Sequence, residues 1–290
     1  SKLEEIEVIN LIRGNNIDIM FDITGVTQSK RVSLFKNRLA PKQISWLGYC
    51  NTSGLENMDY LIADKNLIYE EEENGYSEKI LYLPHIWNCH SGLNSIRSPS
   101  DPPCLKEKNI TFGSFNNFNK INDKVISVWS QILLKVKNSK LMLKSSLKVD
   151  KSFLKKEFEK HGVIDSVIFL EKRKLESHYN LYKKIDIALD TFPYNGVTTT
   201  FEALAMGVPV ITMKGYNFNS RCGESIIKNL GIEDLIANNE DDYILKSQKM
   251  ASDKDKLLEL RKNIFNIVNE TPLFDTKKFS QDFFGVLEKI

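Results

Sequence analysis

Short apolar runs alternate along this chain with longer stretches in which hydrophobic residues recur every three or four positions. The first kind predicts buried strands and the second amphipathic helices. The first half predicts a helix from Lys2 to Arg13, a strand from Ile17 to Ile23 that ends before Gly25, and a basic helix from Ser29 to Asn37. A strand from Gln43 to Tyr49 then runs into a turn-rich loop, Cys50 to Leu55. Two further strands, Asp59 to Ala63 and Lys79 to Leu83, flank an acidic surface loop at Glu70 to Glu73. The stretch from Asn88 to Lys108 is rich in Ser, Asn, Pro and charge without periodicity, and it reads as an interdomain linker.

The alternation is cleaner beyond it. Strands are expected at Ile110 to Phe115, Lys140 to Lys144, Val167 to Leu170, Asp186 to Asp190 and Val210 to Met213, where the series closes. Between them lie helices at Asn122 to Val136, Lys151 to His161, Leu175 to Lys184 and Thr198 to Met206. The last of these is stopped by Gly207 with Pro209 just beyond. Four more helices follow: Ser220 to Leu230, Asp241 to Met250, Asp253 to Asn269 and Thr276 to Ile290. Strands alternating with crossover helices predict an α/β protein with parallel sheets. Two domains are expected, 1–104 and 105–290, the second doubly wound with a helical tail.

Composition narrows the class. Hydrophobic residues make up 41% and charged residues 27% of 290, the balance of a globular chain. Forty basic residues against 38 acidic ones give a net charge of +2 and no basic stripe, which argues against nucleic-acid binding. The charge run from Lys151 to Lys160 alternates in sign and reads as a solvated helix face. Four dispersed cysteines form no CxxC pair, so a structural metal is not expected, and a reducing cytoplasm suits them. No apolar run reaches the ~18 residues that cross a bilayer. The N-terminus reads as a charged helix, unlike a signal peptide. Because the chain opens at Ser1 without a methionine, it is expected to be a fragment.

Two segments carry candidate chemistry. In an open parallel sheet, ligands bind beyond the carboxyl ends of strands, where helix N-termini present free N–H groups. From Asp190 to Glu202 a strand end, a tight turn at Pro193, Asn195 and Gly196, and the triplet Thr198, Thr199 and Thr200 lead into a helix. Amides and hydroxyls there can hold a pyrophosphate without a metal, and Glu202 can accept from ribose hydroxyls. The competing reading is a helix capped by Thr198 with Glu202 in a capping-type interaction; three threonines exceed what a cap requires. In the second segment, Phe115 to Ile121, Lys120 can offset charge on a departing nucleotide beside Asn116, Asn117 and Asn119. A polar loop with a solvated lysine fits the same residues. His178 fits either a base-stacking residue at a pocket rim or an ordinary surface histidine.

These residues resemble the catalytic region of the O-GlcNAc transferase and SPINDLY family of protein O-glycosyltransferases. The resemblance rests on Phe-Gly-Ser-Phe-Asn-Asn with Lys120 (112 to 120), Glu-Ser-His (176 to 178), Asp-Thr-Phe-Pro-Tyr-Asn-Gly with Thr-Thr-Thr, Glu-Ala-Leu and Met-Gly-Val-Pro-Val-Ile-Thr (190 to 212), and Ser-Arg with Gly223. The first half agrees through Ala-Pro-Lys-Gln-Ile-Ser-Trp-Leu-Gly-Tyr, Thr-Ser-Gly and Met-Asp-Tyr (40 to 60), and Tyr-Ser-Glu-Lys with Leu-Pro (76 to 84). It implies a GT-B architecture of two Rossmann-like lobes, the first truncated and on the acceptor side. It also implies an inverting, metal-independent transfer to protein Ser or Thr hydroxyls, with no cofactor beyond the donor. UDP-GlcNAc is the favoured donor, and GDP-fucose or a non-catalytic nucleotide-sugar-binding module are the alternatives. By the same resemblance Lys120 lies by the donor phosphates with Asn117 next to it, His178 contacts the base, Thr198 and Thr199 bind phosphate, and Glu202 binds ribose. The departures are Val197, where animal O-GlcNAc transferases carry a histidine, and Gly25-Val26-Thr27, where many bacterial members have Gly-His-Thr. The rest of the first lobe, a histidine tied to catalysis and tetratricopeptide repeats are expected upstream of this sequence.

Overall fold

The computed structural model describes residues 3–28, 32–91, 97–145, 150–171 and 175–290. The expected helix start at Lys2, the opening of the basic helix (29–31) and the middle of the expected linker (92–96) lie outside them. The chain divides into two compact units, one of residues 1–88, 217–219 and 277–290, the other of 89–216 and 220–276.

The first unit opens with α1 (Glu5–Gly14), whose Ile9 packs with Leu34, Phe35, Leu39 and Met58. Its sheet is fully parallel, in the order β1 (Ile19–Asp22), β2 (Lys42–Ser45), β3 (Tyr60–Asp64) and β4 (Lys79–Leu83). The expected basic α-helix is a 3-10 helix where it is described (Val32–Lys36), and the acidic loop is another, Glu70–Gly75. The β3-to-β4 crossover therefore carries a single short helix. That suits connections too brief for the three or four turns over which an α-helix becomes cooperative.

The second unit holds α2 (Cys104–Glu107), β5 (Thr111–Ser114), α3 (Asp123–Lys135), β6 (Lys140–Lys144), α4 (Ser152–Lys160) and β7 (Val167–Leu170). These are followed by α5 (Leu175–Tyr182), β8 (Ile187–Leu189), α6 (Thr198–Ala205), β9 (Val210–Met213), α7 (Phe218–Leu230, in this unit from Ser220 onward), β10 (Ile236–Ala237), α8 (Glu240–Ser252) and α9 (Lys254–Ile267). The sheet is parallel in the order β10-β9-β8-β5-β6-β7. Numbered from β5, this is the doubly wound order 3-2-1-4-5-6, with its direction reversing between β5 and β8. The two-residue strand β10 extends the series past Met213, where the sequence pattern closes it. Asn122 caps α3 by accepting from Val125 N, and the helix buries Val125, Val128, Trp129 and Ile132 along one face. Phe112, Leu141, Leu143, Ile187 and Leu189 complete that core. Gly207 ends α6 at φ +75°, with Val208 N donating to Ala203 O at 2.8 Å.

Two expectations about organisation change. The described end of the presumed linker packs within the second unit, since Cys104 N donates to Asp186 Oδ1 (2.9 Å) and Arg97 Nε to Ala205 O (2.9 Å). A buried carboxylate at Asp186 captures backbone that composition alone reads as loose. The last helix, α10 (Thr276–Leu287), belongs from Lys277 onward to the first unit instead of forming a tail on the second. Its Phe279 and Phe283 lie against Trp46, with ring centroids 6.2 and 4.7 Å away, and cover Ile44, Ile62 and Leu83.

Trp129 is fully buried in the second core. Trp129→Ala is expected to destabilise the protein by about 3–5 kcal/mol, measured by urea denaturation.

Candidate functional site

The strand order places the two candidate segments side by side. β5 pairs with β8 through Phe112 with Ile187 and Gly113 with Ala188, so the loops leaving both strands emerge at the point where the sheet reverses direction. Residues 115–122 follow β5, and residues 190–197 lead from β8 into α6. Three bonds join the loops. Lys120 Nζ donates to Asn195 O at 2.6 Å, Asn122 Nδ2 to Phe192 O at 3.0 Å, and Thr199 Oγ1 to Asn116 Oδ1 at 2.8 Å. The Lys120 ammonium also lies 4.0 Å from the centre of the Tyr194 ring.

Asp190 organises the second loop from within. Its Oδ1 accepts from Thr191 N (2.9 Å) and Gly196 N (2.7 Å), its Oδ2 from Thr212 Oγ1 (2.8 Å), and its carbonyl from the Tyr243 hydroxyl (2.9 Å). Burial outweighs these bonds and the nearby Lys120 charge, and the Asp190 pKa is pushed up to about 6. Asn195 spans the same loop, donating to Thr191 O and accepting from Gly223 N.

The start of α6 is not capped by Thr198. The N-cap position is Val197, which makes no side-chain cap bond, and Thr198 is the first helical residue. An uncapped helix start leaves its first N–H groups without intrahelical partners, at the positive end of the dipole. The three threonines differ. Thr198 is exposed, Thr199 is half-buried with its hydroxyl on Asn116, and Thr200 is buried with its hydroxyl on Gly196 O at 3.0 Å. Gly196 fits because it has no side chain: a Cβ there would lie 2.4 Å from Thr199 Oγ1 and 2.5 Å from Asn116 Oδ1.

Deeper in α6, Glu202 is 6% exposed and His178, expected at a rim, is 8% exposed. His178 Nε2 lies 2.9 Å from Glu202 Oε2, and the Tyr182 hydroxyl donates to the same oxygen at 2.8 Å. On the other side of the imidazole, Lys144 Nζ lies 3.0 Å from Nδ1. Asn117 is half-buried and caps the 3-10 helix Phe118–Lys120 by accepting from Asn119 N at 3.2 Å. Its neighbour Asn116 is the amide that reaches α6. Sequence reasoning named Asn116 only as a loop amide and Asp190 only as a strand end, and gave no role to Tyr182 or Lys144. Only Lys144 carried a signal, a charged residue closing the apolar run Leu-Met-Leu of β6. Among the described residues, no three His, Cys, Asp or Glu side chains gather as metal ligands, and no helix is long and apolar enough to cross a membrane.

With this geometry in hand, comparison with known proteins is direct. The model of "Glycosyl transferase family 41" matches residues 5–93 and 98–283. The chain belongs to that family. It is 37% identical over 286 residues to a protein of Eustoma exaltatum subsp. russellianum named "Probable UDP-N-acetylglucosamine--peptide N-acetylglucosaminyltransferase SPINDLY", covering 97% of this chain and 31% of the relative. The chain thus spans about a third of the length of such curated relatives. An O-GlcNAc transferase of Thermobaculum terrenum superposes with a TM-score of 0.86 at 29% identity, over 99% of this chain and 54% of that one. Sucrose-phosphate synthase of Thermosynechococcus elongatus shares the fold alone, with a TM-score of 0.60 at 13% identity over 93% of this chain and 67% of its own. Together with the two parallel sheets, these likenesses place the family 41 chain in the GT-B fold class.

Two outcomes follow from the site. Gly196→Ala should destabilise the protein by about 1–3 kcal/mol by forcing Thr199 and Asn116 apart, measured by urea denaturation. Folded Asp190 holds its proton more tightly than the unfolded chain does. Its contribution to stability therefore falls as pH rises from about 4 to about 6 and stays low above that. Relative to Asp190→Asn, the wild type should lose on the order of 3 kcal/mol across that window, at ~1.4 kcal/mol per pH unit. Urea denaturation at each pH tests this, and parallel stability curves for the two proteins would contradict it.

Proposed function

We propose that this chain supplies the donor-binding part of a protein O-glycosyltransferase, moving GlcNAc from UDP-GlcNAc to Ser or Thr hydroxyls with inversion and without a metal. The observation that carries the reading is the Lys120 ammonium, bonded to Asn195 O beside the uncapped start of α6. Two positive features of different origin, a side-chain charge and a helix dipole, converge on one loop, as a diphosphate leaving group requires. The names of the similar SPINDLY and O-GlcNAc transferase proteins support the sugar and the peptide acceptor.

In this mechanism the acceptor oxygen attacks the anomeric carbon in line, and the bond from that carbon to the diphosphate oxygen breaks with its electron pair leaving on the nucleotide. Lys120, the α6 amides and the exposed Thr198 hydroxyl take up the charge that develops. Thr199, Thr200 and Gly196 hold the loop that shapes this cradle. Asn117 fixes the turn that carries Lys120. Glu202 meets the ribose, and His178 lies at the base end of the site. General-base assistance to the acceptor hydroxyl is assigned to no residue of this chain. The 1–104 segment is proposed to serve the acceptor side and the cytoplasm to be its compartment, with repeats upstream presenting the acceptor.

Val197 gives the donor base a second candidate. It stands where animal O-GlcNAc transferases have histidine, and the surrounding Phe-Pro-Tyr-Asn-Gly-Val-Thr-Thr-Thr resembles the SPINDLY branch, part of which uses GDP-fucose. Incubating a target peptide with each donor and weighing the product identifies the sugar: an added GlcNAc mass supports the proposal, and a fucose mass replaces it with the alternative. Binding of UDP or GDP without any transfer would instead favour a non-catalytic module. Lys120→Ala is expected to cut turnover by on the order of 10²-fold or more in the same assay. Unchanged turnover would remove Lys120 from the leaving-group role.

A further inference from the structure

Lys144 ends β6 and is 4% exposed, a burial that strips an ammonium of most of its hydration and leaves its position to its partners. With Lys144 as ammonium and Glu202 as carboxylate, the contacts around His178 admit one protonation pattern. An ammonium has only donors, so the nitrogen facing Lys144, Nδ1, must be the bare acceptor. An ionised carboxylate only accepts, so the nitrogen facing Glu202, Nε2, must carry the proton. Tyr182 reinforces the second condition. Burial first, and the Glu202 charge second, raise its pKa well above the ordinary value, so its phenol stays protonated and donates to the same Glu202 oxygen. The rings of Phe115 and Tyr182 meet the imidazole edge-on, with centroids 6.0 and 5.5 Å away, and hold its plane.

We propose that Lys144 is a positioning residue of the donor site, locking His178 in its Nε2–H tautomer so that the imidazole in turn orients the Glu202 carboxylate toward the ribose of a nucleoside diphosphate. The ribose half of this assignment rests on the donor-site reading above. A carboxylate has about four acceptor positions, and the contacts from His178, Tyr182 and Tyr179 leave capacity for one ribose hydroxyl. With both ring nitrogens engaged, His178 offers a nucleobase only its ring. It therefore contributes stacking and no hydrogen-bond choice between bases.

The test is 15N NMR of the full chain labelled in histidine, at about pH 8, above the ordinary histidine pKa of about 6.5. His178→Gln assigns the signals, and UDP and GDP are titrated calorimetrically in parallel. The wild type should show the Nε2–H tautomer at His178. Lys144→Met should mix the tautomers and raise the nucleotide Kd about tenfold, while Lys144→Arg, which keeps a cationic donor, should preserve both readings. A wild-type Nδ1–H tautomer overturns the assignment whatever the variants do. So does a folded Lys144→Met protein with unchanged tautomer, or with a changed tautomer and unchanged nucleotide affinity. Failure of the wild type to bind either nucleotide sinks the donor reading and the ribose half with it, and the tautomer comparison then decides the Lys144–His178 lock by itself.

Discussion

The Asp190 carboxylate is the interaction on which the geometry of the proposed donor site depends. It sits at the end of β8, buried, and gathers two backbone N–H groups, a threonine hydroxyl from β9 and, through its own carbonyl, a tyrosine from α8. Those bonds turn residues 190–197 into a rigid bracket whose outer edge is the Asn195 carbonyl that holds Lys120. Burying a carboxylate carries a stability cost, visible in its raised pKa. The cost falls at the junction where β5 and β8 diverge, the one place where a fixed loop is worth more than a relaxed one.

The site has an inner and an outer layer of different character. Outside, Lys120 supplies positive charge and the uncapped start of α6 supplies backbone N–H donors, a pairing suited to a ligand carrying several negative oxygens. Inside, the line from Lys144 through His178 to Glu202 is buried. Each of its polar groups is buried with a hydrogen-bonding neighbour. The outer layer can adapt to a ligand, while the inner one sets where the carboxylate stands before any ligand arrives.

Much of the second unit was legible because its strands are continuous apolar runs bounded by Gly, Pro or charge. The limits of β6, β7 and β9 agree with the sequence pattern to the residue. What escaped has specific physical causes. β10 is two residues long and leaves no periodicity to read. An amphipathic helix such as α10 announces that one face is buried without naming its partner, so the pairing of Phe279 and Phe283 with Trp46 could not be inferred from spacing. In the site, the helix-start logic found the bracket and Lys120, since both follow from where strands end. It misjudged the surroundings of His178, because the lysine that encloses the ring comes from a different strand, 34 residues earlier.

The return of α10 to the first unit has a consequence for how the molecule is made. Ribosomal synthesis runs from the first sheet to the second, yet the first sheet acquires its aromatic cover only when residues 279–290 have been added. The later-made unit contains all of its strands and can consolidate first, while Ile44, Ile62 and Leu83 wait for a lid encoded some two hundred residues downstream. The core of the first sheet is therefore complete only when the last helix of this sequence has been made. Until then the first sheet carries apolar surface that only α10 covers.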